Sequence, residues 1–250
     1  MINHPTGRST HRVRSAIRPS ASPSPIDVRT AILTFVGAWV VAQLLTSIVL
    51  TIFGETGDPS SIPIGVLAVA LAVTWSVYVA SMWFASDRSG TADPIADFGI
   101  VVVPLDLLGL GIGVLAQLVV VRLVYLPLEN WWPDTFTNDD LQRNAEDLVD
   151  RAGGITTLLL VAIVVIGAPV VEELFYRGLL QRSLLARIND SVVVVGVAAV
   201  FALIHFRPVE YPGLFAFGLI VGAAAKLTGR LGPSIMIHVG FNATGLFLVL

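Results

Sequence analysis

The stretch GAPVVEELFYRGLLQR, from Gly167 to Arg182, sets two adjacent carboxylates, Glu172 and Glu173, at the end of an apolar run too long for a soluble core. Carboxylates are costly in hydrocarbon, so an intramembrane pair marks a functional site by default. Helical spacing divides the pair. Glu173 and Arg177 stand four residues apart with the acid N-terminal to the base, the favourable order for a helix salt bridge. This predicts Glu173 and Arg177 as structural support. One turn on from Glu172 stands Tyr176, not a base, so Glu172 is the carboxylate left for chemistry. Just upstream, Pro169 lacks a backbone donor, which in an α-helix leaves the Val165 carbonyl unpaired and predicts a kink beside Glu172.

Composition agrees with a membrane setting. The chain is 55% hydrophobic and only 13% charged, against about 25% charged in a soluble domain. An all-α, polytopic membrane helix bundle in a lipid bilayer is expected. The absence of cysteine excludes disulfides, thiolate metal sites and cysteine nucleophiles. The basic residues form a tail and short juxtamembrane groups without interleaved aromatics, which argues against a nucleic-acid partner.

Residues 1–29 carry Arg8, Arg12, Arg14, Arg18 and Arg29 against the single acid Asp27, and read as a disordered cytoplasmic tail. His4 and His11 fall within it and are expected to be solvated. Spans are predicted near 31–53, 62–85, 105–126, 155–187, 191–205, 213–227 and 232–250, each placed by an apolar run. The segment 30–154 groups the N-terminal spans with an acidic loop, and the remaining spans lie in 155–250. In the third span Gly109, Gly111 and Gly113 alternate. No strand precedes them, so close helix packing is expected, not a nucleotide loop. In the loop after Pro127, Leu141, Ala145, Leu148 and Val149 recur at helical spacing and predict an amphipathic helix ended by Gly153 and Gly154. Gly218 and Gly222 form a further packing face. The tail, Arg177–Arg187 and Lys226–Arg230 alternate with loops poor in bases, so a multi-pass protein of the cell membrane with a cytoplasmic N-terminus is expected.

Only His205 and His238 are histidines of the apolar part. Phe201 shares a helix face with His205, and Asn242 shares one with His238. Taken singly, each polar residue is explained by a hydrogen bond between helices. Together they suggest a site. If the fourth and fifth helices turn near Asn189, Glu172 and His205 reach nearly the same depth, whereas His238, eight residues past Arg230, lies shallower. Agreement requires that hairpin to extend about two turns beyond the membrane surface, or the last helix to sit deeper.

A carboxylate and an imidazole at one depth can bind and deprotonate a water. A second imidazole and an amide can donate to an oxyanion. Such a set makes a water-activating hydrolase, whose natural substrate within a membrane is a peptide bond. The same groups, Glu172, His205 and His238, could instead hold zinc with an open position for water. His-Glu-x-x-His and Gly-x-Ser-x-Gly motifs are absent. Outside enzymes, a membrane immunity or scaffold protein, or a proton-coupled carrier using Glu172 and His205 as a relay, is the alternative.

Glu172-Glu173-x-x-x-Arg177, Phe201-x-x-x-His205 and His238-x-x-x-Asn242, in that order, resemble the three-part signature of the CPBP family. This family contains CAAX prenyl endoproteases and bacteriocin-processing or self-immunity (Abi) proteins. The resemblance runs from about Ile155 to the C-terminus and implies that 155–250 is a catalytic core of packed helices. It implies an intramembrane endopeptidase acting on a membrane-associated peptide or protein. It also implies Glu172 with His205 as water activators, and His238 and Asn242 as oxyanion stabilisers or metal ligands. The family has been described both as metalloproteases and as metal-independent glutamate proteases. Glutamate-activated water is the favoured reading here, because an Asn is a poor zinc ligand and a good oxyanion donor.

Overall fold

A computed structural model describes residues 24–250. The predicted tail lies largely outside the described residues, with His4 and His11. Its last residues are docked on the bundle: Ile26 is buried and the Ser24 and Ser183 hydroxyls are 3.1 Å apart. The described chain is helical, without a strand.

The helices are α1 (Val28–Ile52), α2 (Ile64–Ser89), α3 (Pro104–Trp131), α4 (Asn138–Asp150), α5 (Ile155–Leu185), α6 (Asp190–Leu203), α7 (Pro208–Thr228) and α8 (Gly232–Phe247). Five of them, α1, α2, α3, α5 and α7, are long and apolar enough to cross a membrane. α6 has 14 residues, so it reaches roughly 21 Å at 1.5 Å per residue, short of a hydrocarbon core about 30 Å thick. The seven predicted spans therefore appear as five long apolar helices plus two shorter ones, α6 and α8. Leu33, Val36, Leu44, Ile48 and Ile52 of α1 point outward and exposed, as apolar side chains do where lipid is the solvent.

Local chemistry fixes the ends. Asp27 caps α1 through the Thr30 amide, Thr137 caps the predicted amphipathic helix α4, and the Asn189 side chain accepts from Ser191 and Val192 to start α6. The third span runs past its expected end near Leu126, because α3 carries Pro127 inside it and continues to Trp131. The cost is one backbone bond, to the Leu123 carbonyl. The segment between α2 and α3, expected as a plain loop, contains a helical turn at Pro94–Phe98. It also holds a buried acid: Asp97 accepts from Ser86 Oγ at 2.6 Å and from Thr91.

The connections gather at two ends. At one, Gly99 O accepts from Leu231 N and Val101 O from Gly232 N. There Arg230 pairs with Asp106, Lys226 with Asp190 at 3.0 Å, and Arg182 Nη1 donates to Gly229 O at 2.8 Å. At the other, Arg151 donates to the carbonyls of Pro59 and Ile62, and the Tyr125 hydroxyl donates to Val209 O.

The alternating glycines pack as expected. A Cβ on Gly113 would run into the Ile237 carbonyl and the Phe241 amide of α8, and one on Gly109 would lie 2.9 Å from Met236 Cβ. A Cβ on Gly111 would meet nothing within 4 Å. Gly113→Ala is therefore expected to lower stability in detergent by roughly 1–3 kcal/mol through overpacking, with Gly111→Ala neutral or mildly stabilising. Thermal unfolding of the two variants side by side checks this. Equal behaviour would mean that α3 and α8 do not pack this closely.

Candidate active site

The site is built on α5, and α5 is not a uniform α-helix. Ala162–Gly167 and Glu173–Gln181 are π-helical, with hydrogen bonds closing five residues back. Insertions of this kind mark functional positions. The amide of Ala168 bonds to the Ile163 carbonyl. In that register the next donor is Pro169, which has none, so the carbonyl left bare is that of Val164, not the expected Val165. Asn242 Nδ2 donates to Val164 O at 2.9 Å. The missing donor is supplied from α8, and one of the two Asn242 amide hydrogens is spent on it.

Glu173 and Arg177 form the expected pair, with Nη1 3.0 Å from Oε1 and both side chains fully buried. Arg177 Nη2 also donates to the Gly218 carbonyl, and its guanidinium lies 4.6 Å from the centroid of the Phe201 ring. One turn on, Gln181 Nε2 donates to the Gly222 carbonyl at 2.9 Å. The Gly218 and Gly222 face thus does two things: it lets α6 approach closely, as Ala198 and Val194 show, and it offers carbonyls to α5. The second use is invisible in a packing motif.

Glu173 has a further role that helical spacing does not reveal. Its Oε1 also accepts from Nδ1 of His238 at 2.9 Å. That contact fixes the ring, so Nε2 is the nitrogen left to face the site, 3.9 Å from Glu172 Oε2. The two carboxylates differ in burial: Glu173, the partner of Arg177 that spacing predicts, is sealed, and Glu172 is 24% exposed. His205 lies just past the end of α6, where its Nδ1 donates to the Phe201 carbonyl at 2.6 Å. Its ring packs edge-on to Phe201, and Phe201 in turn packs edge-on to His238. The structure brings Glu172, Glu173, Arg177, Phe201 and His238 together and sets His205 beside them across Phe201. Asn242 is directed at the α5 backbone.

The depth mismatch resolves through Arg182. Its bond to Gly229 places the α7–α8 turn level with Arg182, not with Asn189. Glu173 and His238 each stand nine residues from that clamp, counting 173 to 182 and 229 to 238. The α5–α6 hairpin extends beyond it by the seven residues from 182 to 189, about two turns.

Among the described residues, no three His, Asp or Glu side chains gather to hold a metal ion. His238 and His205 each donate Nδ1 to an oxygen and keep Nε2, an orientation compatible with ligation through Nε2, but Glu172, His205 and His238 are not gathered as a ligand triplet in this arrangement.

The fold is that of a multi-pass helical membrane protein, and its C-terminal segment is similar to endopeptidases of the CAAX type. Residues 154–244 match the model of the family described as type II CAAX prenyl endopeptidase Rce1-like. Neither curated proteins nor solved structures yield a match.

Proposed function

We propose that the protein is an intramembrane endopeptidase in which the Glu172 carboxylate activates water against a peptide bond of a membrane-associated protein or peptide. The observation that carries this is the pairing of Glu172 Oε2 with His238 Nε2 at 3.9 Å, with His238 held from behind by Glu173. The gap is too long for a direct hydrogen bond. One water making two bonds of ordinary length reaches both atoms, giving one hydrogen to the carboxylate and the other to the ring nitrogen. Glu172 then takes a proton as the water oxygen attacks. His205, whose Nε2 remains after Nδ1 bonds to Phe201, is a second proton carrier beside the reacting bond. His238, with its Nδ1 hydrogen given to Glu173, holds that water as an acceptor at Nε2, and the remaining Asn242 hydrogen is a donor available to the developing oxyanion. The catalytic segment is 155–250, and the basic end with Arg182, Arg230 and Lys226 faces the cytoplasm together with the N-terminus.

An apolar cavity of about 640 Å³ runs between α1, α5 and α6, walled among others by Phe35, Trp39, Leu184, Val197, Ile204 and Phe206. Glu172, His205 and His238 are not part of its wall, but Ile204 and Phe206, the neighbours of His205 in the chain, are. It suits the lipid chain of a lipid-modified peptide, as the family description suggests.

The test uses the full chain in phosphatidylcholine–phosphatidylglycerol vesicles and two internally quenched probes, a farnesyl-cysteine peptide and a transmembrane peptide without lipid. At least one is expected to be cleaved, with the rate unchanged by EDTA and 1,10-phenanthroline. Loss of cleavage on chelation, restored by zinc, would reject the glutamate mechanism in favour of a metal. A protein inert to both probes would favour the scaffold or carrier readings.

A further inference from the structure

The chain has four tyrosines, and their hydroxyls divide into two kinds. Tyr125 donates to Val209 O at 2.6 Å and Tyr211 is directed at Leu203 O at 3.5 Å. Tyr78 and Tyr176 are far more buried, at 7% and 4% exposed, yet neither donates to an acceptor among the described residues. A buried phenol ordinarily finds a partner. Neither oxygen belongs to the enclosed, unpartnered atoms of the bundle, so both reach open space.

Their rings are fixed. Tyr78 stacks face to face on Phe175 at 3.9 Å, and Phe175 stacks on Phe35. Tyr176 packs edge-on to Phe35, Phe175 and Phe201. Tyr176 is one turn beyond Glu172 on α5, and Tyr78 comes from α2, outside the segment that matches the family. Phe175 and Tyr176 stand three and four residues beyond Glu172 on α5, and Phe201 packs on both His205 and His238, so both phenol rings are held against the segment that carries the proposed base. Asn242, the donor the sequence resemblance singles out, has one amide hydrogen committed to Val164 O.

We infer that the hydroxyls of Tyr78 and Tyr176 are catalytic donors to the oxyanion formed at the scissile carbonyl, which makes α2 part of the active site. The inference rests on Glu172 being the base. Glu172 takes a proton from water as the water oxygen bonds to the carbonyl carbon. The π electrons move onto the carbonyl oxygen, and the two phenols donate hydrogen bonds to it. On collapse the C=O bond reforms, the C–N bond breaks, and protonated Glu172 returns its proton to the amine. A phenol in a water-poor site is a strong donor to such an oxygen, and preorganised donors need no reorientation as charge develops.

Tyr78→Phe and Tyr176→Phe remove one oxygen each and keep the stacks. In the vesicle assay each is expected to lower kcat on the order of 100-fold, with KM and melting temperature unchanged. A peptide aldehyde of the probe sequence, whose hydrate mimics the tetrahedral adduct, is expected to bind each variant more weakly than the wild type, in proportion to the loss in kcat. Wild-type kcat in both variants, or a loss that tracks a lowered melting temperature, would overturn the proposal. If Glu172→Gln is inactive while both Phe variants are fully active, the tyrosine assignment alone falls. If Glu172→Gln still cleaves, the base assignment falls and the oxyanion role falls with it.

Discussion

Glu172→Gln is expected to reduce kcat by about 10²–10⁴-fold, the usual range for loss of a general base, while leaving the fold intact. Gln has nearly the same volume and keeps one carbonyl acceptor, but its amide cannot take a proton from water. The side chain is 24% exposed and carries no buried partner of its own beyond the 3.9 Å approach to His238. Nothing in the packing therefore depends on its charge. The check is single-turnover cleavage of the vesicle probes, with size-exclusion profile and melting temperature compared to the wild type. Cleavage at the wild-type rate in a folded variant would reject Glu172 as the base.

Glu173→Ala is expected to have the opposite signature: stability and activity are lost together. Glu173 is fully buried, and one oxygen serves both Arg177 and His238. Removing it leaves the Arg177 guanidinium, also fully buried, with the Gly218 carbonyl and the Phe201 and Tyr176 rings as its remaining company. Breaking a buried pair on one side costs roughly 3–5 kcal/mol, because the surviving charge is uncompensated. The double variant Glu173→Ala/Arg177→Met separates the two roles. Removing the orphaned cation is expected to recover much of the melting temperature. Cleavage stays low, because His238 still lacks the carboxylate that orients Nδ1. Recovery of cleavage along with stability would show that Glu173 acts only as the counterion of Arg177.

Much of the site was legible because helical periodicity is a local property. The four-residue spacing of Glu173 and Arg177 predicted their pairing, and the lack of a base one turn beyond Glu172 left that carboxylate without a partner on its own helix. Gly109 and Gly113 announced a close approach of two helices, and α8 is where that approach occurs. What failed was register. The Pro169 argument assumed an α-helix and named the Val165 carbonyl. The π-helical turn moves the gap to Val164, and a side chain of α8 fills it. An inserted residue turns the following side chains by about 100°, but Ala162–Gly167 is apolar throughout and has no stripe in which that turn could be read. The depth of His238 was ambiguous for a related reason. Distance along one helix is fixed by sequence, but the offset between two helices is fixed by a contact between them, here Arg182 on Gly229.

By itself the sequence determined that this chain folds as apolar helices in a bilayer, and which polar side chains it could not leave facing lipid. Both follow from solvation, because hydrocarbon satisfies no backbone or side-chain polar group. Only the tertiary structure decided how those side chains share partners. Glu173 orients His238 as well as neutralising Arg177, Asn242 repairs the backbone of α5, and Tyr78 stacks on Phe175 of α5 from the N-terminal half. These are contacts between residues far apart in the chain, set by helix offset and rotation. Glycine approaches and buried ion pairs fix that offset and rotation once the bundle is assembled.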